Sequence, residues 1–150
     1  MTIPTTYLIS DSSRLLRRSF DNRVRTLGVT GPQARLLLVL SVSEGENQGY
    51  YAERLDVEPI TLCRMVDRME EAGMLERRHD PADRRAWQLH LTDRSRPLIE
   101  ALRDCVEQLD ADMQAGLNPA ERNALADALE RVRMNLGGNP APAYRTSANG

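Results

Sequence analysis

The 150-residue chain has the length of one ordinary domain and can bury a sizeable core. Its formal charge of −2 offers no general attraction for nucleic acid, and all 20 of its Lys+Arg positions are arginine, so its cations are planar, forked donors. The longest apolar run, residues 36–40, is too short to cross a membrane. The opening MTIPTTYLISDSS lacks the basic start and apolar stretch of a secretory signal, which makes the cytoplasm the expected location.

Residues 7–27 have the spacing of a first helix, with Leu16, Phe20, Val24 and Leu27 as its apolar stripe. Gly28-Val29-Thr30-Gly31-Pro32 breaks that pattern, and Pro32 suits the first turn of a second helix over residues 32–42. That helix is apolar on most sides, which predicts a buried, central element. Residues 43–48 read as a polar connection. A short third helix over 49–55 follows, with Tyr51, Ala52 and Leu55 as its packing face.

Residues 59–91 carry the strongest pattern. Leu62, Met65, Val66 and Met69 recur at three- and four-residue steps, which places Thr61, Arg64, Arg68 and Glu71 on the opposite face of a fourth helix. Gly73 supplies the stop. Residues 74–78 and 86–91 then flank a turn-rich, arginine-bearing tip at 79–85, the composition of a β-hairpin. Helix, turn, helix and ribbon in that order is the winged-helix plan, with the fourth helix in the recognition position.

Thr92 is expected to cap a long fifth helix ending near residue 115. Pro97 in its second turn requires a later start or a bend. Asn118-Pro119-Ala120-Glu121 is a strong restart for a sixth helix to about residue 136. The expected fold is therefore mainly α with a small β-hairpin wing, a winged helix-turn-helix whose N- and C-terminal helices form a dimerisation bundle. Its parts are residues 1–28 with 97–136 as the helical dimerisation region, 32–92 as the DNA-binding region, and 137–150 as a Gly/Pro-rich disordered tail. Pairing is expected because the end helices carry more apolar stripe than one small winged helix covers. Residues 54–96 hold nine arginines and nine acids, so any attraction for DNA must come from how charges are distributed over faces.

Several motifs carry a resemblance. QGYYAERL at 48–55, Asp67-Arg68-Met69-Glu70 with Gly73-Met74-Leu75 and Arg77, Asp80-Pro81 with Asp83-Arg84-Arg85, and Leu91-Thr92 are similar to the third helix, the "DRLE..GLV.R" run, the "DP.D.R" wing tip and the "LT" exit of the MarR family of bacterial transcriptional regulators. The likeness covers about residues 7–136. It implies a homodimeric regulator, expected here to be a repressor, that binds a palindromic double-stranded operator. Release by a small organic effector, aromatic or phenolic, is implied with it. Carried onto this chain, Thr61, Arg64 and Arg68 meet the major groove or its phosphates, and Arg84 at the wing tip enters the minor groove. Asp83 and Arg85 match the family's Asp-x-Arg pair, whose arginine meets the recognition-helix aspartate, here Asp67, and so orients the wing. Ser10, Arg14 and Arg17 share a flank of the first helix near where family ligands lodge, and an arginine there suits a ligand carboxylate.

Other chemistry finds little support. His79 and His90 are too isolated for a metal site, and no cofactor is expected. No Gly-rich phosphate loop or nucleophile elbow is present, so the chain is not expected to be an enzyme. Cys63 and Cys105 lie in different predicted helices without a CxxC partner. Two alternatives stay open: a winged-helix protein-interaction module without DNA binding, and a thiol-based redox regulator acting through Cys63.

Overall fold

The computed structural model describes residues 1–139. They form α1 (Thr5–Val24), α2 (Gly31–Val42), α3 (Gln48–Leu55), α4 (Pro59–Glu71), β1 (Leu75–Asp80), β2 (Asp83–Leu91), α5 (Arg96–Met113) and α6 (Pro119–Asn135). The chain divides into two compact units, Met1–Leu109 and a second that begins at Asp110. The class is the expected one, mainly α with a two-stranded antiparallel hairpin. No helix among the described residues is long and apolar enough to cross a membrane.

In the first unit the core gathers around α2. Leu36, Leu37 and Leu40 have no exposed surface. Against them lie Phe20 and Val24 of α1, Tyr51 of α3, Leu62, Val66 and Met69 of α4, Leu75 of β1, Leu89 of β2, and Ile99 and Leu102 of α5. The start of α2 is held by a capping box, in which Thr30 Oγ1 accepts from the Gln33 N–H and Gln33 Oε1 from the Thr30 N–H. The stripe of α1 is buried only at its end: Phe20 and Val24 are covered, whereas Leu15 and Leu16 are exposed. Gly31 leaves room for the Asp21 carboxylate at the start of α2, since a methyl group there would stand 1.8 Å from Asp21 Oδ1, an oxygen that pairs with Arg35 at 2.8 Å.

The α2–α3 connection does more than the polar loop expected of it. The Gly45 N–H donates to the Leu89 carbonyl at 2.9 Å, the Leu89 N–H donates to the Glu46 carbonyl at 3.1 Å, and Glu44 Oε1 accepts from the Leu91 N–H at 2.7 Å. This segment thus adds a third rung to the base of the hairpin. Tyr51 anchors the rung from inside: its phenol donates to the Ser43 carbonyl at 2.7 Å and accepts from the Glu46 N–H at 3.1 Å.

Two left-handed residues turn the chain around α4. Asp56, at φ 52°, ends α3, and Gly73, at φ 75°, follows α4. The strands run further than expected, leaving only Pro81 and Ala82 between them. Two aspartates make that short tip possible by accepting from backbone N–H groups two residues on, Asp80 from Ala82 and Asp83 from Arg85, each at 2.9 Å. Thr92 corrects an expectation. Its side chain does not cap a helix; its Oγ1 donates to the Gly73 carbonyl at 2.5 Å, and α5 begins only at Arg96, which places Pro97 in a first turn that needs no N–H from it.

In the second unit Asn118 and Glu121 form the expected capping box at the head of α6. No residue of α6 is buried, and Leu125, Leu129 and Met134 are exposed along it. Of the tail expected to be disordered, residues 140–150 lie outside the described ones.

Burial pushes the Tyr51 phenol up to about 12, against the opposing pull of the Glu46 N–H. The folded state therefore keeps a proton that the unfolded chain releases near pH 10. The stability from this phenol is complete below pH 10 and is lost as pH rises towards 12. Tyr51→Phe is expected to lower stability by about 1–2 kcal/mol at pH 7 in urea denaturation and to flatten the decline between pH 10 and 12 relative to the parent. An unchanged alkaline slope would count against this assignment.

Candidate nucleic-acid interface

The amphipathic pattern of α4 directs Leu62, Val66 and Met69 into the core, and this orients the opposite side outward. Thr61, Arg64 and Arg68 are all exposed on that outer side. At the end of the hairpin Arg84 and Arg85 are exposed in turn. Among the described residues, none of these four arginine side chains has an ion pair or hydrogen bond. The two arginines between them in the chain are engaged: Arg78 pairs with Glu76 at 2.5 Å, and Arg77 is held from several sides.

Arg77 is the residue that sequence reasoning undervalued. It shares the inward parity of Leu75 on β1, so its guanidinium points under the wing, with only 13% of the side chain exposed. Its Nη2 lies 2.7 Å from Asp67 Oδ1 and its Nη1 3.2 Å from Glu70 Oε1. Its Nε donates to Gln48 Oε1 at 3.2 Å, Nη2 donates to the Cys63 carbonyl at 3.3 Å, and its backbone N–H donates to Glu70 Oε2 at 2.8 Å. One side chain of β1 thereby ties α3, α4 and the wing together. Burial works against its charge, but the hydrogen bonds and charges of Asp67 and Glu70 outweigh that and hold its pKa above the ordinary value.

This arrangement corrects the expected partner of Asp67, which is Arg77 and not Arg85. Asp83 likewise does not hold an arginine side chain; it accepts the backbone N–H of Arg85 and shapes the turn. The physical reason is position along the ribbon, since Arg85 shares the alternation of Leu89 and Leu91 on β2 but lies further from the helix. Arg77 faces α4 along the strand, whereas Arg85 lies near the tip, where the ribbon has left the helix. The available signal was a charged residue at an inward strand position, which requires partners, with Asp67 and Glu70 three apart on the neighbouring helix.

Three further features were not read from sequence. His79 and Trp87 face each other across the strands and stack with ring centroids 4.0 Å apart at 28°. Ile60 is exposed in the first turn of α4. Cys63 is half-buried, its Sγ 3.8 Å from Arg77 Nη2. On α1, Ser10, Arg14 and Arg17 are exposed, and Arg14 is paired with Asp11 at 2.7 Å.

Replacing Arg77 by methionine is expected to cost about 1–3 kcal/mol, at the lower end because Asp67 and Glu70 are partly exposed and recover hydration. Amide exchange in β1 and β2 is expected to accelerate more than exchange in α2. Equal protection of the wing in variant and parent would show that Arg77 does not hold it.

The geometry agrees with what is known of other proteins. The profile described as the MarR family matches residues 27–86. The chain is 30% identical over 125 residues, 83% of its length and 75% of the relative's, to a transcriptional regulatory protein proposed for the hcr operon of Thauera aromatica. It is similar to the crystal structure of apo wild-type MarR from E. coli, with a TM-score of 0.80 at 25% identity, covering 88% of this chain and 98% of that one. The same fold occurs in a protein assigned to that family from Listeria monocytogenes, crystallised with a 26-mer DNA, with a TM-score of 0.79 at 21% identity and 90% of each chain covered. With its recognition helix, wing and outward arginines arranged in this way, the chain belongs to the MarR family of winged helix-turn-helix transcriptional regulators.

Proposed function

We propose that this MarR family regulator is a homodimeric repressor that binds a palindromic operator through Thr61, Arg64 and Arg68 in the major groove and through Arg84 and Arg85 from the wing. A small organic effector, aromatic or phenolic, then releases it. The observation that carries the reading is the division of labour among the arginines of a formally neutral segment. Arg77 and Arg78 are neutralised internally, and among the described residues Arg64, Arg68, Arg84 and Arg85 have no intramolecular partner. Four unpaired guanidinium groups at the helix and the wing tip suit phosphates and guanine edges, which arginine meets with forked donors. Asp67 orients the wing through Arg77, and Asp83 does so by shaping its tip.

Dimerisation through residues 1–28 and 97–136 is supported by the apolar side chains left in water. Leu125 and Leu129 on α6 are 38% and 44% exposed, and Tyr7, Leu8 and Leu15 are exposed on α1. A second copy related by a two-fold axis would cover such faces and present two recognition helices to two half-sites. The effector reading rests on the family resemblance and on the exposed arginines of α1, with Ser10, Arg14 and Arg17 as the candidate contacts. Release follows if the effector favours a separation of recognition helices that no longer matches both half-sites. The lack of a membrane-spanning helix among the described residues fits a cytoplasmic place of action.

In a gel-shift titration with a duplex from the gene's own upstream region, the parent is expected to bind with strong salt dependence. The Arg64→Ala, Arg68→Ala double variant is expected to lose at least about tenfold in affinity. Aromatic acids added to the same gel are expected to free the duplex. Binding by the double variant equal to that of the parent would remove α4 as the reading element. Sedimentation of the parent is expected at twice the chain mass, and Leu125→Asp with Leu129→Asp is expected to shift it to the monomer; a monomeric parent would refute the pairing.

A further inference from the structure

Among the described residues, the exposed large apolar side chains lie before or on α1 and from α5 onward, with three exceptions: Val42, Ile60 and Trp87. Ile60 is the most exposed of these at 61%, in the first turn of α4 directly after Pro59. Packing does not account for it, because Leu62, Val66 and Met69 supply the core face of the same helix. Four-residue steps place Ile60, Arg64 and Arg68 on one stripe, and among the described residues neither arginine has a partner. A β-branched side chain at this place gains no helix propensity and leaves apolar surface in water, so any gain must come from the surface the stripe meets.

That surface is named by its chemistry. Two unpaired guanidinium groups beside one apolar group match the major groove of duplex DNA, which offers phosphates and guanine edges together with a single apolar group, the C5 methyl of thymine. The first turn of a recognition helix is also the part that reaches base edges. We propose that Ile60 is a specificity-determining residue that packs against a thymine methyl group in the major groove, beside the contacts of Arg64 and Arg68. The proposal rests on the DNA-binding reading above and adds a base preference to it.

The test starts by enriching a random-sequence duplex pool with the full parent chain. The recovered duplex is then remade with each thymine in turn replaced by deoxyuridine, which removes only the methyl group. The parent is expected to lose about fourfold in affinity, the value of one buried methyl, at one thymine position and its symmetry mate. Ile60→Ala and Ile60→Ser are expected to bind the unmodified duplex more weakly and to ignore that replacement. Matching thermal unfolding curves identify whichever variant is folded like the parent. If parent and folded variant respond alike to every replacement, or if no replacement affects the parent, the assignment of Ile60 is overturned while DNA binding stands. If the pool yields no enriched sequence, the DNA-binding reading itself fails and Ile60 with it.

Discussion

A single half-hidden cation sets the geometry of the reading module. The hairpin buries Leu75, Leu89 and Leu91 at its base, and beyond them little apolar surface holds the ribbon against α4. Arg77 takes over where the core ends. It carries charge into the angle between strand and helix, where Asp67, Glu70, Gln48 and the Cys63 carbonyl meet it. A guanidinium serves here because its donors leave in a fixed plane and can bind a helix and a strand at once; an ammonium would offer one point of charge without that fork. With the wing so held, the spacing between the outward face of α4 and the wing tip is a property of the fold.

The same junction explains how a chain of net charge −2 presents cations to a partner. Asp67 and Glu70 are directed at Arg77, Glu76 is directed at Arg78, and Asp80 and Asp83 are committed to backbone N–H groups of the tip. These five acids therefore neutralise the structural arginines and shape the turn, while Glu71 on the outer face of α4 and Arg64, Arg68, Arg84 and Arg85 keep their charge facing outward. Composition averages over these roles. Local field, which depends on which charges face the partner, does not.

Apolar residues show a comparable division. Around α2 they form a closed core that includes the end of α1 and the start of α5, and Tyr51 adds a satisfied polar anchor beneath the third rung of the hairpin. The earlier turns of α1 and the length of α6 expose leucines instead. A helix keeps such a stripe against water only where some other surface repays it, which is the physical basis for reading these two helices as association surfaces.

Local rules made much of this legible from residues alone. Periodicity placed six helices and the ribbon, Gly73 and the Asn118–Glu121 box marked a stop and a start, and the opposition of Leu62, Val66 and Met69 to Arg64 and Arg68 defined which face of α4 turns outward. Those signals depend on neighbours within a few positions, so a sequence carries them whole. The partner of Asp67, the role of Thr92 at the Gly73 carbonyl and the use of residues 44–46 as a third rung each join groups distant along the chain. They depend on where folding brings a strand relative to a helix. The sequence reading pairs Asp67 with Arg85, and only the tertiary structure gives it Arg77, because the reach of the ribbon puts Arg77 under the wing and Arg85 at its tip.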